Sequence, residues 1–154
     1  GSRAMLRQRF ETIRDEHPEA RLVNVPTMPT FRMTRRLAGA VTLSERGAGV
    51  APEDMVGLCP SWRKAGIVYG LPYGALYGKA DNLLAAGRCI SAEGRPLDMA
   101  RAIPVCALTG EIAGTAAALA LGDQCPVADV PLAALRNELL AQGSILDASY
   151  IVGR

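Results

Sequence analysis

The run Leu83-Leu84-Ala85-Ala86-Gly87 decides how this chain reads, together with the long stretch Ile103-Pro104-Val105-Cys106-Ala107-Leu108-Thr109-Gly110-Glu111-Ile112-Ala113-Gly114-Thr115-Ala116-Ala117-Ala118-Leu119-Ala120-Leu121 that follows a polar segment. A short unbroken apolar run bounded by turn residues fits a strand buried on both faces. The polar segment, Arg88 to Ala100 with Gly94 and Pro96 in it, reads as a loop. The long stretch reads as a helix from about Ile103 to Leu121, closed by Gly122. Its length would span a bilayer. Glu111 near its middle is costly in lipid, and no Lys/Arg cluster sets an orientation, so it reads as the buried helix of a soluble protein. Gly110 and Gly114, one turn apart with Ala113 and Ala117 beside them, predict a smooth groove that another backbone approaches closely.

Outward from this unit, Met5 to Glu16 has apolar residues at helical spacing (Leu6, Phe10, Ile13) and ends at His17-Pro18. Arg21 to Val25 reads as a short strand broken by Pro26, and Phe31 to Leu43 as extended. Ala51-Pro52-Glu53-Asp54 has proline early and acids in the first turn, which predicts a short helix ending near Gly57. Ile67 to Tyr73 reads as a strand ending at Pro72. Pro131 to Gln142 predicts a second helix with Leu132, Leu135, Leu139 and Leu140 on one face and Gly143 as its cap.

The 154 residues are 49% hydrophobic and 21% charged, enough apolar content for a real core. The net charge of +2 comes without a basic block, and aromatics are 5%, which argues against nucleic-acid binding. Cys59, Cys89, Cys106 and Cys125 are scattered, with no CxxC pair and one histidine, His17, so no metal site is expected. They read as reduced thiols of a cytoplasmic protein. Gly1-Ser2 reads as a cleavage remnant.

The chemistry-bearing unit is strand, Gly87, polar loop, small-residue helix. A glycine at a strand end lets a ligand approach the backbone. The N-terminus of the long helix presents free N–H groups and partial positive charge, and Pro104 has no N–H to waste there. Arg101, set before that positive end, needs an anion or carboxylate partner, either a bound anionic group or a surface salt bridge to Asp98 or Glu93. Arg32, Arg35 and Arg36 form the densest basic cluster, either exposed charge or an anion clamp. Tyr73 reads as a packing residue or a proton donor.

Two motifs resemble the C-terminal flavin-binding signature of a family of FAD-dependent oxidoreductases. One is Asp81-Asn82-Leu83-Leu84-Ala85-Ala86-Gly87-Arg88-Cys89-Ile90-Ser91-Ala92. The other is Arg101-Ala102-Ile103-Pro104-Val105-Cys106, continued by Gly110 and Ala113-Gly114-Thr115-Ala116-Ala117-Ala118. Leu71-Pro72-Tyr73 and Arg32 to Arg36 sit where that family has similar segments. The resemblance implies an α+β or α/β fragment, in which strands of a substrate domain are followed by the strand and long helix of an FAD-binding domain. It divides the chain into 3–71 (part of a substrate domain), 72–122 (C-terminal portion of the FAD domain) and 123–154 (helix and tail).

The resemblance further implies FAD as cofactor, contacted by Gly87, Arg88, Cys89, Arg101, Ile103, Pro104, Val105 and Cys106. It implies hydride transfer with a small-molecule substrate near Arg32, Arg35 and Tyr73. A glycine fingerprint after a strand, which anchors the other half of FAD in that family, does not occur in this sequence. The expected partner is therefore the N-terminal remainder of a parent flavoprotein, with self-association of the uncovered helix and strand as an accompanying expectation. A catalytically empty self-associating fragment and a small-ligand module using the helix N-terminus are the rival readings. Two departures from the family pattern bear on substrate choice: Glu93-Gly94-Arg95 replaces a Thr-His-Glu stretch, and Gly74 stands where arginine is frequent.

Overall fold

The computed structural model describes residues 2–23 and 35–151. Contacts group the chain into two units, Gly1–Thr34 and Arg35–Arg154. In the first, helix α1 (Ser2–Glu16) forms where the apolar spacing predicts it and stops before Pro18. The predicted strand at Arg21 is not formed over 21–23. The remainder of that prediction, and Arg32 with it, lies outside the described residues.

The second unit is α+β. Strands β1 (Met55–Pro60) and β2 (Val68–Pro72) pair antiparallel, with Gly57 opposite Leu71 and Cys59 opposite Tyr69. Helices α2 (Gly94–Ala100), α3 (Ile103–Gly122) and α4 (Leu132–Ala141) complete it. Leu71 lies inside β2, so the pair that opens at Met55 runs across position 71. The core gathers Val56, Leu71, Leu76, Ile90, Met99, Ile112, Leu135 and Leu139.

Three predicted elements of this unit are not as expected, each for a physical reason. Residues 51–57 are not helical. Met55-Val56 begins β1, and the acidic side chain of Asp54 accepts the Gly74 N–H at 2.8 Å, tying the strand entrance to the end of β2. Leu83 to Ala86 is not a buried central strand. Leu83 is 47% exposed, and the run is held by one bridge, Leu84 to Tyr77, and by the Ala85 N–H bonded to the Leu76 carbonyl at 2.7 Å. Within the supposed loop 88–100, residues 94–100 form α2. Pro96 lies in its first turn, where a missing N–H costs nothing, and Gly94 takes φ +60° to start it.

Helix α3 is as predicted in extent, but only one stripe is buried: Val105, Thr109, Ile112, Ala116 and Ala120. The opposite stripe is exposed, with Ile103 at 85% and Leu121 at 80% at its two ends. Gly110 and Gly114 lie on that stripe, and a Cβ at either would meet nothing within 4 Å. The predicted backbone contact at these glycines is therefore absent within the described residues. The close approach of α3 is made elsewhere, at Gly57 of β1, where a Cβ would lie 2.9 Å from Leu108 Cδ2 and 3.3 Å from Ile112 Cδ1.

On α4, Leu135 and Leu139 are buried as expected, whereas Leu140 is 54% exposed, one position round from the stripe. Gly143 closes the helix in the left-handed conformation, φ +93°.

A stability prediction follows from the open stripe. In the chain by itself, Gly110→Ala and Gly114→Ala are each expected to stabilise by about 0.5–1 kcal/mol through helix propensity. Urea unfolding checks this, and destabilisation by either would mean that the stripe is covered in solution.

Candidate functional site

The Gly87 turn and the start of α3 meet in the second unit. The chain turns through a short 3₁₀ segment at Gly87–Cys89, with Gly87 at φ +62°. A Cβ at Gly87 would sit 3.3 Å from Cys106 Sγ, so the turn rests on the first turn of α3. The Gly87 N–H donates to Thr109 Oγ1 at 2.8 Å. Thr109 is fully buried, and its hydroxyl in turn reaches the carbonyls of Val105 (2.8 Å) and Cys106 (3.0 Å). Nothing in the sequence pattern singles out Thr109, because a threonine in a helix of small residues reads as filler.

The N-terminus of α3 is open. Ala102 occupies the cap position without a side-chain hydrogen bond, and Pro104 lies in the first turn. Ile103 and Pro104 are exposed and Val105 is buried. The first-turn N–H groups of a helix have no intrahelical partner, and among the described residues no side chain takes their place. Beside this end an apolar groove of about 380 Å³ is lined by Leu58, Pro60, Val68, Pro104, Val105 and Leu108.

The other predicted site residues fall as follows. Arg88 and Cys89 are exposed on the turn, and Cys106 is half-buried, its thiol donating to the Ala100 carbonyl at 3.4 Å. Arg35 is exposed. Its neighbour Arg36 reaches Ser91 Oγ (3.3 Å) and Glu93 (3.4 Å), and the buried Ser91 hydroxyl is 2.9 Å from Thr42 Oγ1. Tyr73 is 2% exposed, and its hydroxyl donates to the Val127 carbonyl at 2.5 Å. Burial pushes the Tyr73 hydroxyl up to about 12, so it keeps its proton at neutral pH. Cys59 is likewise buried, its thiol pushed up to about 12 by desolvation.

Arg101 has a carboxylate partner within the chain. Its Nε and Nη2 lie 2.6 and 2.5 Å from Asp98 Oδ1, and Arg63 Nη2 lies 2.5 Å from Asp98 Oδ2. Burial works to raise the Asp98 pKa, but the hydrogen bond and charge of Arg101, joined by Arg63, outweigh it and hold the carboxyl below the usual carboxylate range.

A pKa depressed in the folded state contributes stability that is present above the unfolded value near 4 and is lost as pH falls through the folded value. Asp98→Asn is expected to cost about 1–2 kcal/mol at pH 7, discounted because Arg63 is more than half exposed. The gap to wild type should shrink as pH falls from 5 towards 2. Unfolding curves across that range check this, and a gap independent of pH would rule out ionic pairing as its source.

What this arrangement can hold is an electron-rich or anionic group. It offers an uncapped helix N-terminus and exposed Arg88 on the turn that rests against it, while Gly87 itself is buried against Cys106 with its N–H bonded to Thr109. A flavin dinucleotide, with its pyrophosphate and its electron-accepting ring, fits this donor set. The family described as FAD dependent oxidoreductase matches the chain over residues 2–139. No curated protein and no solved structure matches it.

Proposed function

Since the chain belongs to the FAD dependent oxidoreductase family, whose cofactor is FAD, we propose that it forms the C-terminal, flavin-facing part of such an enzyme and serves hydride transfer between a small-molecule substrate and the flavin. The observation that carries this reading is the open N-terminus of α3 packed against the Gly87 turn. When bound, FAD supplies the hydride-accepting ring. Gly87, Arg88 and Cys89 line its approach from the turn, and Ile103, Pro104, Val105 and Cys106 form the helix end. There the helix dipole favours the negative charge that reduction adds to the ring. Arg101, oriented by Asp98, adds a cation at the entrance to that helix.

In this reading an N-terminal remainder of a parent flavoprotein completes the FAD site. The exposed stripe of α3 from Ile103 to Leu121 supports it, since an apolar helix face of this length is ordinarily covered. The division into substrate and FAD portions near Leu71 is proposed on the same footing, as is a cytoplasmic location, which suits four free thiols. The same stripe favours a second reading, in which copies of the chain cover one another and no catalysis results. Light scattering separates the two: a monomer with an open stripe counts against self-association.

The test of the first reading is titration. The chain by itself is expected to bind FAD with a Kd weaker than about 1 μM, equivalent to about −8 kcal/mol, while the longer parent retains FAD through gel filtration. Tighter binding by the chain by itself overturns the partial-site reading. A parent that purifies colourless and takes up no added FAD overturns the flavin assignment.

A further inference from the structure

We propose that Thr109 is a positioning residue of the flavin site, locking the Gly87 turn onto the first turn of α3 through its hydroxyl; the proposal rests on the flavin reading above. The two backbone pieces that would face the flavin come from different segments, with α2 between them along the chain. Among the described residues, one hydrogen bond joins Gly87–Cys89 to α3, and it is the Gly87 N–H on Thr109 Oγ1 at 2.8 Å. The same oxygen lies 2.8 Å from the Val105 carbonyl and 3.0 Å from the Cys106 carbonyl. A hydroxyl has one proton to give, so it donates to one of these carbonyls, or shares it between them, while a lone pair takes the Gly87 proton. The result is a relay from the turn, through Thr109, into the carbonyls of the helix start.

Burial makes this relay selective. Thr109 is fully buried, and Gly87 is buried as well. Without the hydroxyl, the Gly87 N–H loses its acceptor in a place water does not reach, and the turn must shift to recover one. Packing by itself does not replace the bond, because the Gly87 side of the contact with Cys106 has no side chain. A threonine that merely filled space would be replaced by valine, its near-isostere, at little cost to the turn.

The experiment compares Thr109→Val, which removes the hydroxyl, with Thr109→Ser, which keeps it. In the chain itself, amide hydrogen exchange by NMR should show Gly87 exchanging about tenfold faster in the valine variant, after correction for global stability, and near wild type in the serine variant. In the flavin-loaded parent, Thr109→Val should weaken FAD binding about tenfold and shift the visible flavin band, and Thr109→Ser should restore both. Leu139→Val, at a buried α4 position, serves as the stability control and should leave FAD affinity within about twofold. Thr109→Ala replaces the valine variant if the latter does not fold.

Unchanged Gly87 exchange in the variant lacking the hydroxyl overturns the proposal. So does an FAD loss no greater than that of Leu139→Val, which would make Thr109 structural while leaving the flavin reading intact. A wild-type parent that holds no FAD defeats the flavin reading itself and the proposal with it.

Discussion

Gly39→Ala is expected to lower the unfolding free energy by about 3 kcal/mol, enough to move the urea midpoint by about 1 M or more. A methyl group there would lie 2.6 Å from Ser91 Cβ, 2.8 Å from the Gly74 carbonyl oxygen and 2.9 Å from the Val41 carbonyl oxygen. Two of these neighbours are backbone, and the third is the Cβ of a buried residue, so none can swing away as the far end of a flexible side chain would. The surroundings are tied in place. The Val41 N–H bonds to the Gly74 carbonyl, the Leu43 N–H to the Ser91 carbonyl and the Ser91 N–H to the Ala75 carbonyl, at 2.8–3.0 Å. Segment 37–43 is thereby stitched between 74–78 and 89–93, and its opposite number at the Gly39 bridge is another glycine, Gly78. Displacing it would strain several buried hydrogen bonds at once. A shift below about 0.5 kcal/mol in urea unfolding would mean that the segment moves freely and does not seal the core.

That result would sit beside the mild stabilisation expected of Gly110→Ala and Gly114→Ala, and the contrast shows what the sequence could and could not convey. The helical pair draws the eye because its spacing matches a known close-packing pattern. Gly39 lies in a stretch with no periodicity at all. Its constraint comes from Gly74 and Ser91, residues brought in by tertiary folding, and no local pattern encodes that.

The same division runs through the elements. Helices α1, α3 and α4 are legible because their periodicity, length and end signals are local. Strand β2 is legible because an apolar run ends at Pro72. Strand β1 is hidden, since proline and acids at 52–54 imitate a helix start, while Gly57 serves the helix crossing it. The run Leu83 to Ala86 misleads in the opposite sense, because an apolar run does not reveal whether a neighbour strand lies beside it. Of the candidate site, the Gly87 turn and the open end of α3 are legible as the motif that carries the family resemblance. The bond that joins them, through Thr109, becomes visible once the chain is folded, whereas the pairing of Arg101 with Asp98 is the salt-bridge alternative that the sequence already offers.

Gly87→Val is the second substitution with a large expected effect, about 3 kcal/mol, and it tests fold and site together. At φ +62° a residue with a Cβ pays about 1–2 kcal/mol, more when β-branched. The Cβ would also stand 3.3 Å from Cys106 Sγ, and the added methyl groups of valine would press further on the start of α3. Moving the turn to relieve this would stretch the 2.8 Å bond to Thr109. The contributions can be separated. Gly87→Ala should cost about 2 kcal/mol, and adding Cys106→Ala should return the steric share but not the conformational one, leaving a deficit of about 1 kcal/mol relative to Cys106→Ala. On the proposed flavin-site reading, Gly87→Val in the longer parent should lose FAD affinity beyond what its stability loss accounts for, because the turn beside the start of α3 would have moved. Gly87→Val with wild-type stability would show that the left-handed turn is not maintained in solution. Gly87→Val with the stability loss but wild-type FAD affinity would remove this turn from the cofactor site while leaving its part in the fold untouched.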